Sequence, residues 1–206
     1  MRAFVLTMLV AVLAGCVAAQ VRKQVWDFDS ATVGELPQGV TNEVGEWKVA
    51  ADDTAPSRPS VLAQMAKNSG GTYNVALLDG TSYQDLDLTV AMKAVAGEED
   101  QGGGPVWRAK DKENYYIARY NPLENNYRVY KTVNGRRQQL GTADVKGDLA
   151  WHTLRIVMNG DHIECYLDGT KYLDVRDATF GEAGKIGLWT KADAQTHFDN
   201  VEVAMP

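Results

Sequence analysis

From Leu86 to Lys93 apolar and polar side chains take turns, with Leu86, Leu88, Val90 and Met92 on one side and Asp87, Thr89, Ala91 and Lys93 on the other. A repeat of two residues is that of a β-strand with one buried face. The same pattern predicts strands at Gln24–Phe28, Glu46–Val49, Val61–Met65, Asn114–Tyr120, Tyr127–Val133, Leu154–Met158, His162–Leu167, Lys185–Trp189 and His197–Val203. Asn134-Gly135, Asn159-Gly160-Asp161 and Asp168-Gly169 fall between them as hairpin turns. No window past the N-terminus carries an apolar stripe at helical spacing. Many short strands, tight turns and no long helix predict an all-β, two-sheet antiparallel sandwich or a barrel. There is no repeat, low-complexity tract or internal linker, so a single domain is expected over residues 21–206.

The first residues follow another rule. MRAFVLTMLVAVLAGC opens with one Arg and an apolar run from Ala3 to Ala14, too short to anchor in a bilayer and of the length of an export signal. Residues 1–19 therefore read as an export signal. Leu13-Ala14-Gly15-Cys16 resembles the bacterial lipobox, which implies cleavage before Cys16 and lipidation of its thiol. Val17-Ala18-Ala19 offers a second cleavage point that would discard Cys16. Either route places the domain in the cell envelope or outside the cell, touching membrane only through a lipid anchor. The other cysteine, Cys165, shares a strand face with Ile163 and Leu167, which predicts an inert buried thiol and no disulfide.

In 206 residues, 45% hydrophobic and 23% charged, there is enough apolar material for one core. A net charge of −6 argues against a nucleic-acid partner, because phosphates call for a basic surface. The stretch Glu98–Pro122 concentrates candidate chemistry: three carboxylates, three glycines, Trp107-Arg108, and a strand bearing Tyr115, Tyr116, Arg119 and Asn121. Rings that stack, together with planar amides and guanidiniums that bond hydroxyls, suit a saccharide.

Trp151-His152-Thr153-Leu154-Arg155-Ile156, Asn159-Gly160-Asp161-His162-Ile163 and Tyr166-Leu167-Asp168-Gly169 together resemble the hairpin of laminin-G-like and concanavalin A-like jelly rolls. Gly184–Trp189 and Phe198–Val203 are similar to their closing strands, and Trp26-Asp27-Phe28-Asp29 with Gly34, Pro37 and Gly39 to their opening. The resemblance is closest to the 3-keto-disaccharide hydrolase branch of the concanavalin A-like lectin/glucanase superfamily. It implies a jelly-roll sandwich with saccharide or keto-saccharide on its concave face. The E-x-D-x-x-E strand of the laminarinase-type glycosidases is missing. Glu98-Glu99-Asp100 is contiguous, so neighbouring carboxylates point apart, whereas retaining hydrolysis needs two about 5 Å from each other.

Strand parity sorts the candidates. Tyr115, Ile117, Arg119 and Asn121 share one face, and Arg119 either pairs with a neighbouring carboxylate or reaches a sugar hydroxyl. Trp107 and Arg108 point opposite ways, so only one can face a ligand; both are kept as ligand-binding candidates. Trp189 is expected as an exposed platform beside Gly187, on a face shared with Lys185 and Lys191, and Asp193 as a partner for Lys191. Glu98, Glu99 and Asp100, on a loop loosened or tightly turned by glycines, are candidate acid/base groups or metal ligands. His152, His162 and His197 lack metal-ligand spacing and read as structural. The resemblance further implies a structural calcium, held by Asp27 or Asp29 with Asp199.

These readings point to glycan binding first. A second possibility is 3-keto-glycoside cleavage, with a base among Glu98, Glu99 and Asp100 and the enolate held by Arg108, Arg119 or Lys191. A third is a non-catalytic interaction protein of the envelope.

Overall fold

The structure is a computed structural model that describes residues 23–205; the export signal and Cys16 lie outside the described residues. Among the described residues there are fifteen strands and no helix. They are β1 (Lys23–Trp26), β2 (Val40–Val44), β3 (Trp47–Ala51), β4 (Ser60–Gln64), β5 (Tyr73–Leu78), β6 (Leu86–Ala96), β7 (Gly104–Asp111), β8 (Asn114–Asn121), β9 (Asn126–Val133), β10 (Arg136–Asp144), β11 (His152–Asn159), β12 (His162–Leu167), β13 (Thr170–Arg176), β14 (Lys185–Lys191) and β15 (Gln195–Ala204). One sheet runs β13-β12-β11-β6-β15-β4-β3, with β1 added along β15, and the other β10-β9-β8-β7-β14-β5-β2. All pairings are antiparallel, and the two sheets form a jelly-roll sandwich.

The alternation in β6 does what its period requires. Leu86, Leu88, Val90 and Met92 are buried between the sheets, across from Trp107, Tyr116, Ala118, Tyr120 and Leu188 of the other sheet. Cys165 lies in this same core, and burial pushes its thiol well up, so it stays protonated and inert as expected. A second apolar group forms on the outer face of the seven-stranded sheet: Val75, Leu77, Val106, Tyr115, Ile117, Tyr130 and Trp189.

Strands β2, β5, β10 and β13 carry no alternation that announces them. The run of β5, YNVALL, is buried on both faces and so shows no period of two. β10 and β13 are largely polar and arise from their hairpins. Asn134 and Gly135 have φ of 48° and 73°, and Asp168 and Gly169 of 50° and 78°. Two consecutive positive φ values make the tight turn whose twist matches antiparallel strands, and the turn then sets the register.

Candidate functional site

The Glu98–Pro122 stretch is folded by one carboxylate outside it. Asp193 accepts the backbone N–H groups of Glu98 (2.7 Å), Glu99 (3.1 Å) and Asp100 (3.0 Å). Burial opposes its charge, but these donors outweigh that and hold Asp193 below the usual carboxylate range. Asp193 therefore pins the acidic loop and does not pair with Lys191. This turn sends Glu98 and Glu99 outward and Asp100 inward, where it is 1% exposed. The glycines that follow serve close approach: a Cβ on Gly103 would lie 2.2 Å from Trp189 O, and one on Gly104 2.0 Å from Ala118 O.

Three of the other expected residues converge on Asp100. Arg119 Nη1 donates to both its oxygens (3.2 and 3.1 Å), Asn121 Nδ2 to Oδ1 (2.7 Å) and Lys191 Nζ to Oδ2 (3.1 Å). Arg119 Nη2 continues to Glu124 Oε2 (2.8 Å) and Asn126 Oδ1 (3.1 Å), and Arg128 Nη1 joins at Glu124 (3.0 Å). Burial pushes the Asp100 carboxyl up, against the pull of Arg119 and Lys191. At Glu124 burial also opposes the charge, but Arg119, Asn126 and Arg128 prevail and bring the carboxyl to about 2. The result is a closed charge network on the outer face of the seven-stranded sheet. Asp100 and Arg119 form its floor, and Lys191, Glu124 and Arg128 reach solvent. Arg119 thus pairs with carboxylates, Asp100 first, and Glu124, Asn126 and Arg128 are partners the sequence reading missed. β9 holds Asn126 and Arg128 directly opposite Asn121 and Arg119, so strand pairing was the signal that could have found them.

Two expectations need correction. Trp107 is fully buried between the sheets, stacked on Tyr116 with centroids 5.6 Å apart, and is no platform for a ligand. Arg108 sits at φ 46° in an irregular stretch of β7, where it turns into a crevice between loops. There its Nε donates to Gln84 O (2.6 Å), Nη1 to Phe180 O (2.6 Å), and Nη2 to Gly160 O (2.7 Å) and Asp85 Oδ1 (3.2 Å). With four of its five N–H groups used, Arg108 is a clamp and not a ligand contact.

Trp189 lies on the outer face, as parity requires, but is enclosed where an open platform was expected. Its indole N–H donates to Tyr115 Oη (3.1 Å), and its ring centroid is 5.4 Å from that of Tyr73. The Arg137 guanidinium stands over Tyr130 at 4.2 Å, Tyr73 at 5.4 Å and Trp189 at 5.5 Å. Tyr73 and Arg137 went unnoticed in the sequence because β5 and β10 did, and Tyr130 because its neighbours across the sheet were not visible.

Each histidine is held by a carboxylate: His152 by Asp168 and Asp148, His162 by Asp174, and His197 by Asp52. Burial, together with the charge of nearby Asp29, pushes the Asp199 carboxyl up, so the two carboxylates expected to hold calcium stand close to one another. Among the described residues, the one trio of His, Cys, Asp or Glu side chains whose ligand atoms lie within 4.8 Å of one another is His162, Glu164 and Asp174, and Lys171 Nζ bonds both of its carboxylates. Asp199 instead accepts Ser57 N (2.8 Å), Ser57 Oγ (2.9 Å) and Asn200 N (2.7 Å), while Asp29 accepts Ser60 N (3.1 Å). Both carboxylates cap the segment before β4.

Known structures share this sandwich. The carbohydrate binding module CBM66 from Bacillus subtilis superposes with a TM-score of 0.68 at 22% identity, over 80% of this chain and 94% of the module. Domain 4 of AbnA, a GH43 extracellular arabinanase from Geobacillus stearothermophilus solved in complex with arabinotriose, gives 0.61 at 11% identity, over 91% and 94%. The Crh5 transglycosylase gives 0.59 at 13%, over 89% and 84%. Among curated proteins, none matches the chain. The family model described as 3-keto-alpha-glucoside-1,2-lyase-like domain matches residues 38–204, from the loop before β2 to the end of β15. The hairpin and closing strands that suggested the 3-keto-disaccharide branch lie inside that match, whereas the opening Trp26–Pro37 segment precedes it, and the chain belongs to the 3-keto-alpha-glucoside-1,2-lyase-like domain family.

Proposed function

We propose that this protein is an exported carbohydrate-interacting domain that holds a saccharide, in particular a 3-keto-saccharide, on the outer face of its seven-stranded sheet. The observation that carries this is the convergence of Asp100, Arg119, Asn121 and Lys191, with Glu124, Asn126 and Arg128, beside the rings of Tyr73, Tyr130 and Trp189. Asp100 and Arg119 fix one another and hold the partly open Lys191, Glu124 and Arg128 in place, so donors and acceptors stand ready for hydroxyls without reorganising. The family match and the saccharide-binding neighbours support this reading.

Trp189 and Tyr130 are covered, 0% and 4% exposed, so the contacts fall to Lys191, Glu124 and Arg128 with Tyr73, and affinity should lie in roughly the millimolar to micromolar range. Calorimetric titration with a panel of glucosides and 3-keto-glucosides should show such binding, weakened at least about tenfold in Lys191→Ala and Arg128→Ala. Both side chains are partly exposed, so the variants should stay folded. Heat only of dilution from the whole panel, or variants that bind like wild type, would refute the site.

Export follows the same reading, with the mature chain beginning at a lipidated Cys16 and tethered to the envelope. Intact mass of the membrane fraction should equal the chain from Cys16 plus its acyl groups. A soluble product beginning at Gln20 would show simple cleavage instead.

A further inference from the structure

The β9–β10 hairpin carries two guanidiniums that stand apart from the others in the chain. Among the described residues Arg108, Arg119, Arg128, Arg155 and Arg176 each pair with a carboxylate, and Arg58 is exposed in the loop before β4. Arg136 and Arg137, the first two residues of β10, have neither an ion pair nor a side-chain hydrogen bond among the described residues. Arg136 is exposed, but Arg137 is half-buried. The two central carboxylates of its face are already committed, Asp100 to Arg119, Asn121 and Lys191, and Glu124 to Arg119, Asn126 and Arg128. A half-buried charge without a counter-charge is unfavourable in itself, so stability alone does not place Arg137 there.

Its orientation is nonetheless fixed. The guanidinium carbon lies 4.2 Å from the centroid of Tyr130, 5.4 Å from that of Tyr73 and 5.5 Å from that of Trp189. A planar cation held on ring faces keeps its N–H groups in its own plane, directed past the rings. Nη1 is buried with no hydrogen-bond partner, whereas Nε and Nη2 are not among the buried atoms left without one. The edge made by Nε–H and Nη2–H therefore faces solvent. That edge presents two parallel donors, spaced for two oxygens of a carboxylate or a sulfate. A recess of about 540 Å³ opens at the hairpin, lined by Arg136, Arg137, Asn134, Gln138 and Val133. Two guanidiniums and two amides form its walls, with no carboxylate among them.

We propose that this recess is an oxyanion subsite at the edge of the saccharide face, and that the ligand is an acidic oligosaccharide bearing a carboxylate, as a uronate does, or a sulfate ester. The proposal rests on the reading that a saccharide lies on the seven-stranded face, and it names the class of that saccharide. The open edge of Arg137 takes two oxygens of the anionic group, and Arg136 supplies the second positive charge. The sugar hydroxyls then reach Arg128 and Glu124. Arg137 pairs with Thr132, and Arg128 lies four residues before Thr132 on β9. At about 3.3 Å per residue that is about 13 Å along the strand, so several linked rings, not one, are needed to engage both ends.

The test is calorimetric titration of the mature protein with three gluco-trisaccharides of one linkage: a neutral one, one with C6 of the terminal ring oxidised to a carboxylate, and one with a 6-sulfate there. At least one acidic ligand should bind about tenfold or more tighter than the neutral one, and whichever binds tighter tells carboxylate from sulfate. Its advantage should shrink about threefold or more between about 20 and about 200 mM salt, because an exposed ion pair is screened. Arg136→Gln and Arg137→Lys should each reduce the ratio of acidic to neutral affinity about three- to tenfold. Lysine keeps a stem and a charge over the rings but loses the fork, and Arg136 is exposed, so both variants should fold, which melting curves check. An arginine that only covers the rings would change both affinities alike and leave the ratio where it was. That result, or equal wild-type affinity for all three ligands, would overturn the subsite and leave the saccharide face intact. A protein that binds none of the three would remove both readings.

Discussion

Replacing Arg108 with methionine should cost about 3–5 kcal/mol of stability. The guanidinium is 1% exposed and serves four acceptors, three of them backbone carbonyls in separate loops: Gln84, Phe180 and Gly160. A buried acceptor stripped of its donor costs about 1–3 kcal/mol, and water can reach only part of this crevice. Methionine keeps the stem and pays the same backbone cost at φ 46°, so the difference isolates the hydrogen bonds. Lysine should recover little, because a point ammonium cannot serve acceptors arranged around a planar fork. Urea denaturation of the three proteins measures this. A loss below about 1 kcal/mol in Arg108→Met would mean that the loops close without the clamp.

Asp100→Asn should be nearly as damaging, at about 3 kcal/mol, because it leaves Arg119 buried with one carboxylate fewer. Glu124 remains as a partner for Arg119 and holds the loss toward the lower end of what breaking a buried pair costs. The double replacement Asp100→Leu with Arg119→Met should be less destabilised than the sum of its single changes, since neither charge is then stranded. Chemical denaturation of the four proteins gives the coupling directly. Additive losses would show that the two groups act independently and that the floor of the saccharide face is not a unit. The same proteins, titrated with sugar, should separate the support of the face from its contacts, because Asp100 lies beneath the groups that reach solvent.

Strand parity survived the passage from sequence to structure. Tyr115, Ile117, Arg119 and Asn121 do share the outer face while Tyr116, Ala118 and Tyr120 share the core, and Trp189 and Lys191 lie outward from Ile186 and Leu188. Parity is local, repeating every two residues, and needs no knowledge of what lies opposite. It failed at Trp107-Arg108, where the irregular pairing of β7 and a left-handed residue break the alternation that would have decided between them. It was silent for β5, buried on both faces, and for β10 and β13, whose existence depends on a turn more than on apolar content.

The chain order alone was enough for an all-β sandwich, for the closing strands that mark the family, and for a window dense in groups that suit sugars. Patterning, turn chemistry and residue types are properties of neighbours in sequence, and these follow from them. Partnership is different. Asp100 meets Arg119 across 19 positions and Lys191 across 91, and His197 meets Asp52 across 145. No periodicity encodes such meetings. They arise when two sheets stack and a loop pinned by Asp193 turns one of three adjacent carboxylates inward. Whether a buried charge is a catalyst, a ligand contact or a brace depends on which donors surround it in space, since they set its solvation and its free lone pairs. Arg108 and Trp107 became braces by that physics alone.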